Sequence, residues 1–443
     1  AAADTAKSVA DAEVANAAAQ IVNYTGQTYT LTTGVDVGSS FTGTTGNDTF
    51  VGVDSTTDTS DTINLGDSLD GGAGTDAFLM TIADNDANPI TLANIENVEI
   101  IGSAATGNIN AQNWDGVSSL TLKNTGVDGA TTSAAQVSNL ASNVTINLDN
   151  VEVGADNDTA LTVGFASGAV GTSGTATVNA TNVGSATRDA EVVLDAGGSD
   201  FFTTLALTAT GSNNVRFDAA ADEDVALTSI TVGGTGSLGF EVDGANVEMT
   251  SVATFDAFAN SGGVTADVSA STVINQTVTG GSGGDTLTVD LARNITLDAG
   301  AGNDTVILSN ATAGNLSTAT NAVDRIKGGA GTDTLVITAA NAAALTGDTA
   351  ADRGAITEFE VVRATGNLNG NNFKINNINS INSLQFDTTI TGGEATVSGF
   401  TSGAIVESQG NTHSQTITVG GATEVGDVVA ATVNGTQYTF TAT

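Results

Sequence analysis

The sequence predicts an all-β fold, an elongated multi-domain β-sandwich or β-solenoid with one short helix at its amino end. Three observations predict it. From Tyr24 onward the chain consists of short alternating runs rich in Thr, Val and Ile, separated by Gly, Asn and Asp. It has one proline, Pro89, against 54 glycines in 443 residues, so its turns fall to residues that tolerate positive φ. It also repeats itself at long range.

Taken in order, residues 1–35 form a helical and linker segment: Ala10, Val14, Ala17 and Ile21 share one helical face over 1–22, and Asp4 stands where a cap belongs. Gly71-Gly72-Ala73-Gly74-Thr75-Asp76 recurs as Gly328-Gly329-Ala330-Gly331-Thr332-Asp333, and flanking matches extend the repeat on both sides. Asn47-Asp48 aligns with Asn303-Asp304, Asp67 with Asp324, Val98-Glu99-Ile100 with Phe359-Glu360-Val361, Trp114 with Phe373, and Ser119-Leu120 with Ser383-Leu384. The matches define two related β modules, 36–130 and 271–395. Between them, 131–270 is β-rich, with strands expected at Val144–Leu148, Ala160–Val163, Thr204–Thr208 and Glu241-Val242. Weaker helical candidates lie at 132–142 and 339–352, and 396–443 closes the chain as a β segment. Sandwich, β-helix and β-roll all fit this texture.

Composition narrows the function. Forty-nine acidic and ten basic residues leave a formal charge of −39, which repels nucleic acid and anionic membrane faces and favours cations as partners. Cysteine is absent and His413 is the single histidine, so zinc sites and thiol or imidazole catalysis are nearly excluded. No apolar run is long enough to span a bilayer as a helix. The first residue is alanine, which suits a processed product or a fragment. No nucleophile elbow, phosphate loop or basic patch is present, so no enzymatic activity is expected.

The recurring chemical element is a nonapeptide, Gly-Gly-x-Gly-x-Asp-x-U-x with U large and apolar. It is well formed at 71–79, 280–288 and 328–336, one glycine short at 299–307, and degenerate at Gly43–Phe50 and Asp195–Phe202. Two residues past each Asp stands an apolar side chain: Phe50, Phe78, Phe202, Leu287, Val306 and Leu335. That is a glycine turn followed by a short strand that sends one side chain into a stacked core. Two such turns stacked about 4.8 Å apart can enclose a hard cation in oxygen, and calcium suits the cage better than magnesium. The candidate donors are the turn backbones at Gly71, Gly72, Gly74, Gly281, Gly283, Gly300, Gly302, Gly328, Gly329 and Gly331. With them go the carboxylates of Asp48, Asp67, Asp76, Asp200, Asp285, Asp298, Asp304, Asp324 and Asp333.

A roll with two nonapeptides per coil puts same-edge turns about 18 residues apart. Asp285 and Asp304 are therefore expected to flank one ion, with Asn294 on the opposite edge, while Asp67 and Asp324 lie half a coil from Asp76 and Asp333. The bland alternative is a set of tight solvated turns without metal. Asp84–Asn88, Asp222–Asp224 and Asp54, Asp58 and Asp61 read as weaker acidic loops, the last two groups as solvated ones. Glu99 and Glu360 read as outward-facing strand carboxylates, Trp114 and Phe373 as packing anchors, and His413 as a surface residue.

On its repeats the chain resembles the RTX calcium-binding secreted proteins, and more closely the bacterial surface-layer (S-layer) proteins of the Caulobacter type. The resemblance rests on the two modules, notably Leu31–Asp36 running into Gly43–Gly52 and Gly66–Asp76, and on Ile95–Glu99. It implies RTX-like β-roll turns with several Ca2+ ions, Asp48, Asp76, Asp285, Asp304 and Asp333 being ligands. It also implies a secreted, non-catalytic protein that tiles the cell surface with copies of itself, with cell-surface polysaccharide as a further partner. At an affinity of ~0.1 mM and ~10 mM calcium each site would contribute about 2.7 kcal/mol to the ordered state. A calcium-stabilised adhesin or extracellular filament subunit uses the same architecture. A polysaccharide-degrading solenoid enzyme is the third reading, disfavoured by the shortage of basic residues.

Overall fold

The computed structural model describes residues 26–55, 57–82, 90–103, 108–126, 136–151, 160–185, 189–219, 225–242, 249–290, 293–310, 325–338 and 356–365, and beyond these the short strands up to Thr441 with residue 381. The chain divides into two compact units, Ala1–Ala206 with Ser212–Ala226 and Asp243–Val247, and Leu207–Gly211 with Leu227–Val242 and Glu248–Thr443.

In the first unit one sheet takes, as successive neighbours, Thr28–Thr30, Thr49–Asp54, Ala77–Ile82, Asn97–Ser103, Ser119–Gly126, Thr145–Asp149 and Gly174–Thr181. A second takes Asn108–Asn110, Gln136–Leu140, Ala160–Phe165, Ala190–Asp195 and Ser212–Ala219, and Ser68–Asp70 pairs with Thr91–Ala93. In the second unit Thr254–Asn260, Gln276–Thr279, Ile295–Asp298, Arg325–Lys327 and Ile356–Thr357 follow one another in one sheet. Val264–Asp267, Thr286–Asp290, Thr305–Asn310, Thr334–Thr338, Val361–Thr365 and Ser383–Phe386 do so in another. Each strand pairs in parallel with the strand one coil on, not with its chain neighbour, so stacked coils form a parallel β-solenoid. Parallel pairing selects the solenoid over the sandwich left open by the sequence. The exception is the antiparallel hairpin of Val428–Val433 and Thr436–Thr441.

Period-2 alternation explains the core. Phe50, Phe78, Val98, Leu120, Ile146 and Val178 occupy matched positions on successive coils and are all essentially inaccessible. Leu287, Val306, Leu335 and Val362 form the same column in the second unit. Burying each such side chain contributes roughly 1.5–3 kcal/mol. The motif's apolar position is therefore the core position, as its fixed offset from Asp predicts.

The described residues hold three 3-10 turns, Gly38–Phe41, Asp58–Ser60 and Met249–Ser251. The expected helix at 1–22 and the candidate at 339–352 lie outside the described residues. The candidate at 132–142 is corrected: Gln136–Leu140 is a strand. Val137 and Leu140 are both buried, a three-residue spacing that mimics a helix. It arises because Asn139 takes a left-handed φ of 60° and the register slips there, so the bulge turns a period of two into three.

Candidate metal centre

The glycine-aspartate turns are the corners of the coils. In the second unit corners 280–285, 299–304 and 328–333 each join a strand of one sheet to a strand of the other, so they stack on one edge. Stacking brings backbone against backbone. A Cβ on Gly302 or Gly331 would collide with the carbonyl oxygen of Gly283 or Gly302 in the preceding corner, and Gly331 has φ of 150°. The third glycine of the motif is there because only hydrogen fits between the turns.

The carboxylates form a ladder along this edge. The amide N–H of Asp285 donates to Asp304 Oδ1 at 2.8 Å, nineteen residues on, and that of Asp304 to Asp333 Oδ1 at 2.8 Å, twenty-nine residues on. In the first unit the N–H of Asp48 donates to Asp76 Oδ1 at 2.6 Å over twenty-eight residues. Asn47 Oδ1 and Asn303 Oδ1 answer by accepting the N–H groups of Thr75 at 3.0 Å and Thr332 at 2.9 Å. The 18-residue spacing thus holds, to within one residue, only for the 285–304 step. The 48–76 and 304–333 steps are longer, at twenty-eight and twenty-nine residues, and the corners stack regardless. Asn294 does lie at the far turn, its Nδ2 donating to Asn275 Oδ1 at 3.0 Å.

Both ladders end on residues the motif does not contain. Glu96 Oε2 accepts the N–H of Asp76 at 2.7 Å, and Glu360 Oε2 that of Asp333 at 2.8 Å. Glu360 is therefore a corner carboxylate rather than an outward strand residue. Its counterpart is Glu96, since Ala77 pairs with Asn97 as Thr334 pairs with Val361. Glu99 does face outward, 3.5 Å from Lys123 Nζ. The sequence carried a usable signal: a fully buried Ile95 and a fully buried Phe359 immediately precede the two glutamates.

The second oxygen of each carboxylate separates the corners into two kinds. Asp48 Oδ2 accepts the N–H of Thr44 at 2.5 Å, and Asp285 Oδ2 that of Gly281 at 2.6 Å, so both close their own turns. Oδ2 of Asp76, Asp304 and Asp333 is buried with no hydrogen-bond partner among the described residues. These three side chains are at most 1 % exposed. Burial accordingly pushes the Asp76, Asp285 and Asp333 carboxyls above the usual range, and pushes Asp304 up to about 7, with Asp285, Asp333 and Asp298 adding repulsion.

The remaining predicted residues stand apart. Asp67 belongs to a separate ladder: Oδ1 accepts the N–H of Asp36 at 2.8 Å and Oδ2 that of Asn64 at 2.7 Å. Burial raises its pKa. Asp200 accepts the N–H groups of Gly168 at 2.8 Å and Val170 at 3.2 Å; with Gly171, these backbone donors hold its carboxyl below the usual range. Asp298 ends a strand, its Oδ1 accepting the N–H of Gly300 at 3.2 Å and its Oδ2 lying 3.5 Å from Lys327 Nζ. Asp324, the 84–88 and 222–224 clusters and His413 lie outside the described residues, as does the side chain of Phe373. Asp54 and Asp61 are buried rather than solvated, Asp61 Oδ1 holding the N–H of Ser55 at 2.8 Å, while Asp58 is exposed. Trp114 is a buried anchor, 3 % exposed and bridged to Leu92.

Among the described residues no three acidic or histidine side chains converge into a metal cage, and no helix is long and apolar enough to cross a membrane. A cation at these corners would take one or two carboxylates and complete its shell with backbone carbonyls, which the glycine stacking lines up between adjacent turns. No family model matches the chain, and no curated protein matches it.

Proposed function

We propose that the chain is a secreted, non-catalytic structural protein whose solenoid corners bind calcium and which assembles with its own copies into a surface-layer lattice on the cell. One observation carries the reading: a repeated corner buries a carboxylate oxygen that no donor among the described residues satisfies. An unpaired carboxylate buried away from water is costly, and neutralisation by a cation removes that cost. Carboxylate and carbonyl oxygens as donors favour a hard ion, and an adaptable coordination number favours calcium over magnesium. When bound, ions would neutralise buried corner carboxylates such as Asp76 and Asp304 and tie adjacent coils together.

Assembly follows from the same charge. Protomers at −39 repel one another, and divalent ions screen that repulsion and bridge carboxylates between copies. Calcium abundant outside the cell and scarce inside would then switch order on only after export.

The test is melting and imaging of the full chain with calcium and with excess chelator. Calcium should raise the melting temperature and yield sheets with a regular repeat. Unchanged melting and unchanged particle size on chelation would overturn the reading; calcium-stabilised fibres would replace the lattice by a filament.

A further inference from the structure

The two kinds of corner follow one residue outside the motif. Six positions before Asp48 and Asp285 stand Thr42 and Thr279, which offer no carboxylate. In those corners the N–H two residues further on, of Thr44 or Gly281, turns inward and closes on Oδ2 of the motif aspartate. Six positions before Asp76 and Asp304 stand Asp70 and Asp298. There the equivalent N–H, of Gly72 or Gly300, donates to the strand-end aspartate instead, at 3.0 Å and 3.2 Å. The motif aspartate is left with a buried Oδ2 that has no hydrogen-bond partner among the described residues.

Resting on the calcium reading above, we infer that this strand-end residue selects which corners take a cation: aspartate opens a site by capturing the glycine N–H, and threonine shuts it. Asp70 with Asp76, and Asp298 with Asp304, are then the cation corners, each pairing one buried carboxylate with a second at the corner's rim. The well-formed nonapeptide 280–288 then carries no ion of its own, whereas the copy lacking a glycine, 299–307, does, as does the well-formed 71–79. Motif quality and cation binding are thus independent.

The fifth corner fits through a different residue. Lys327 stands six positions before Asp333, and its ammonium lies 3.5 Å from Asp298 Oδ2 and 3.2 Å from Glu358 Oε2. This residue gives the Asp333 corner no second carboxylate at its rim, so that corner is not one of the cation corners. Lys327 also competes at Asp298, so the Asp70/Asp76 corner is the tighter of the two.

Equilibrium dialysis of the metal-free full chain against calcium chloride tests this. Asp70→Thr and Asp298→Thr should each lower the number of bound ions by one and the double variant by two. Thr279→Asp should add one, a gain that a folding defect cannot imitate. Asp48→Asn and Asp285→Asn should leave the number unchanged. The inference falls alone if the wild-type chain binds calcium but the aspartate-to-threonine variants bind as many ions, or if Asp285→Asn loses one. If the wild-type chain binds none, the calcium reading falls with it.

Discussion

Corners 71–76 and 299–304 differ from the corner at 260–263 in how one side chain meets its surroundings. Asn260 is 1 % exposed, yet its Oδ1 accepts the N–H groups of Gly262 and Gly263, both at 2.9 Å, and its Nδ2 donates to Gly236 O at 3.0 Å. An amide both donates and accepts, so it closes a turn against N–H and carbonyl groups alike. A carboxylate accepts only, and among carbonyls one of its oxygens goes unanswered. The shape of a corner and its need for an ion are therefore separable: the backbone sets the first, one side chain the second.

Chelation should act most strongly, and only on the carboxylate corners. Each calcium site held at a hundredfold excess over its Kd stabilises by about 2.7 kcal/mol. Hydrogen exchange should therefore accelerate at 71–76 and 299–304 on adding chelator and stay unchanged at 260–263. Next come the glycines, which both regions share. Gly302→Ala meets the carbonyl of Gly283, and Gly262→Ala that of Gly236. Each should cost roughly 3 kcal/mol or more in denaturant unfolding, with or without calcium.

A smaller effect sharpens the role of the ladder ends. Glu360→Ala leaves the N–H of Asp333 without its acceptor and should cost about 1–3 kcal/mol, whereas Glu360→Gln, which keeps an acceptor, should cost less. The pH dependence should have opposite sign in the two kinds of site. The Asp304 carboxyl is raised to about 7, so the metal-free fold binds its proton more tightly than the unfolded chain does. Its stabilising contribution is present below the unfolded carboxyl range and lost as pH rises through about 7. Asp200 is lowered, so its contribution is present above that range and lost on acidification. Asp304→Asn and Asp200→Asn should remove these opposite slopes from melting measured against pH. Least of all, Lys123→Met breaks a half-exposed bridge to Glu99 and Asp149, and its effect on the melting temperature should be the smallest of the set.

Much of this was legible in the sequence because it is local. The alternation that buries Phe50 and Phe78, and the glycines demanded by backbone crowding, are written within nine residues. Coil length was not legible, since Asp304 and Asp333, twenty-nine residues apart, pair just as Asp285 and Asp304 do at nineteen. Nor was the fate of Asp285 Oδ2 against Asp304 Oδ2, which turns on competition for one N–H between residues six apart. Glu96 escaped because the register of the two modules drifts after the motif, and matching Glu99 to Glu360 hid it. Val137 and Leu140 misled because a bulge imitates helical spacing.

The ladder has a direction. Every motif aspartate in it offers its N–H to an acidic side chain that lies later in the chain. A chain emerging amino end first, from a ribosome or through a narrow pore, cannot latch any of these turns until the next has arrived. The newest segment is always the key to the one before it, so threading is completed before locking, and Glu96 and Glu360 are the last teeth of two zips.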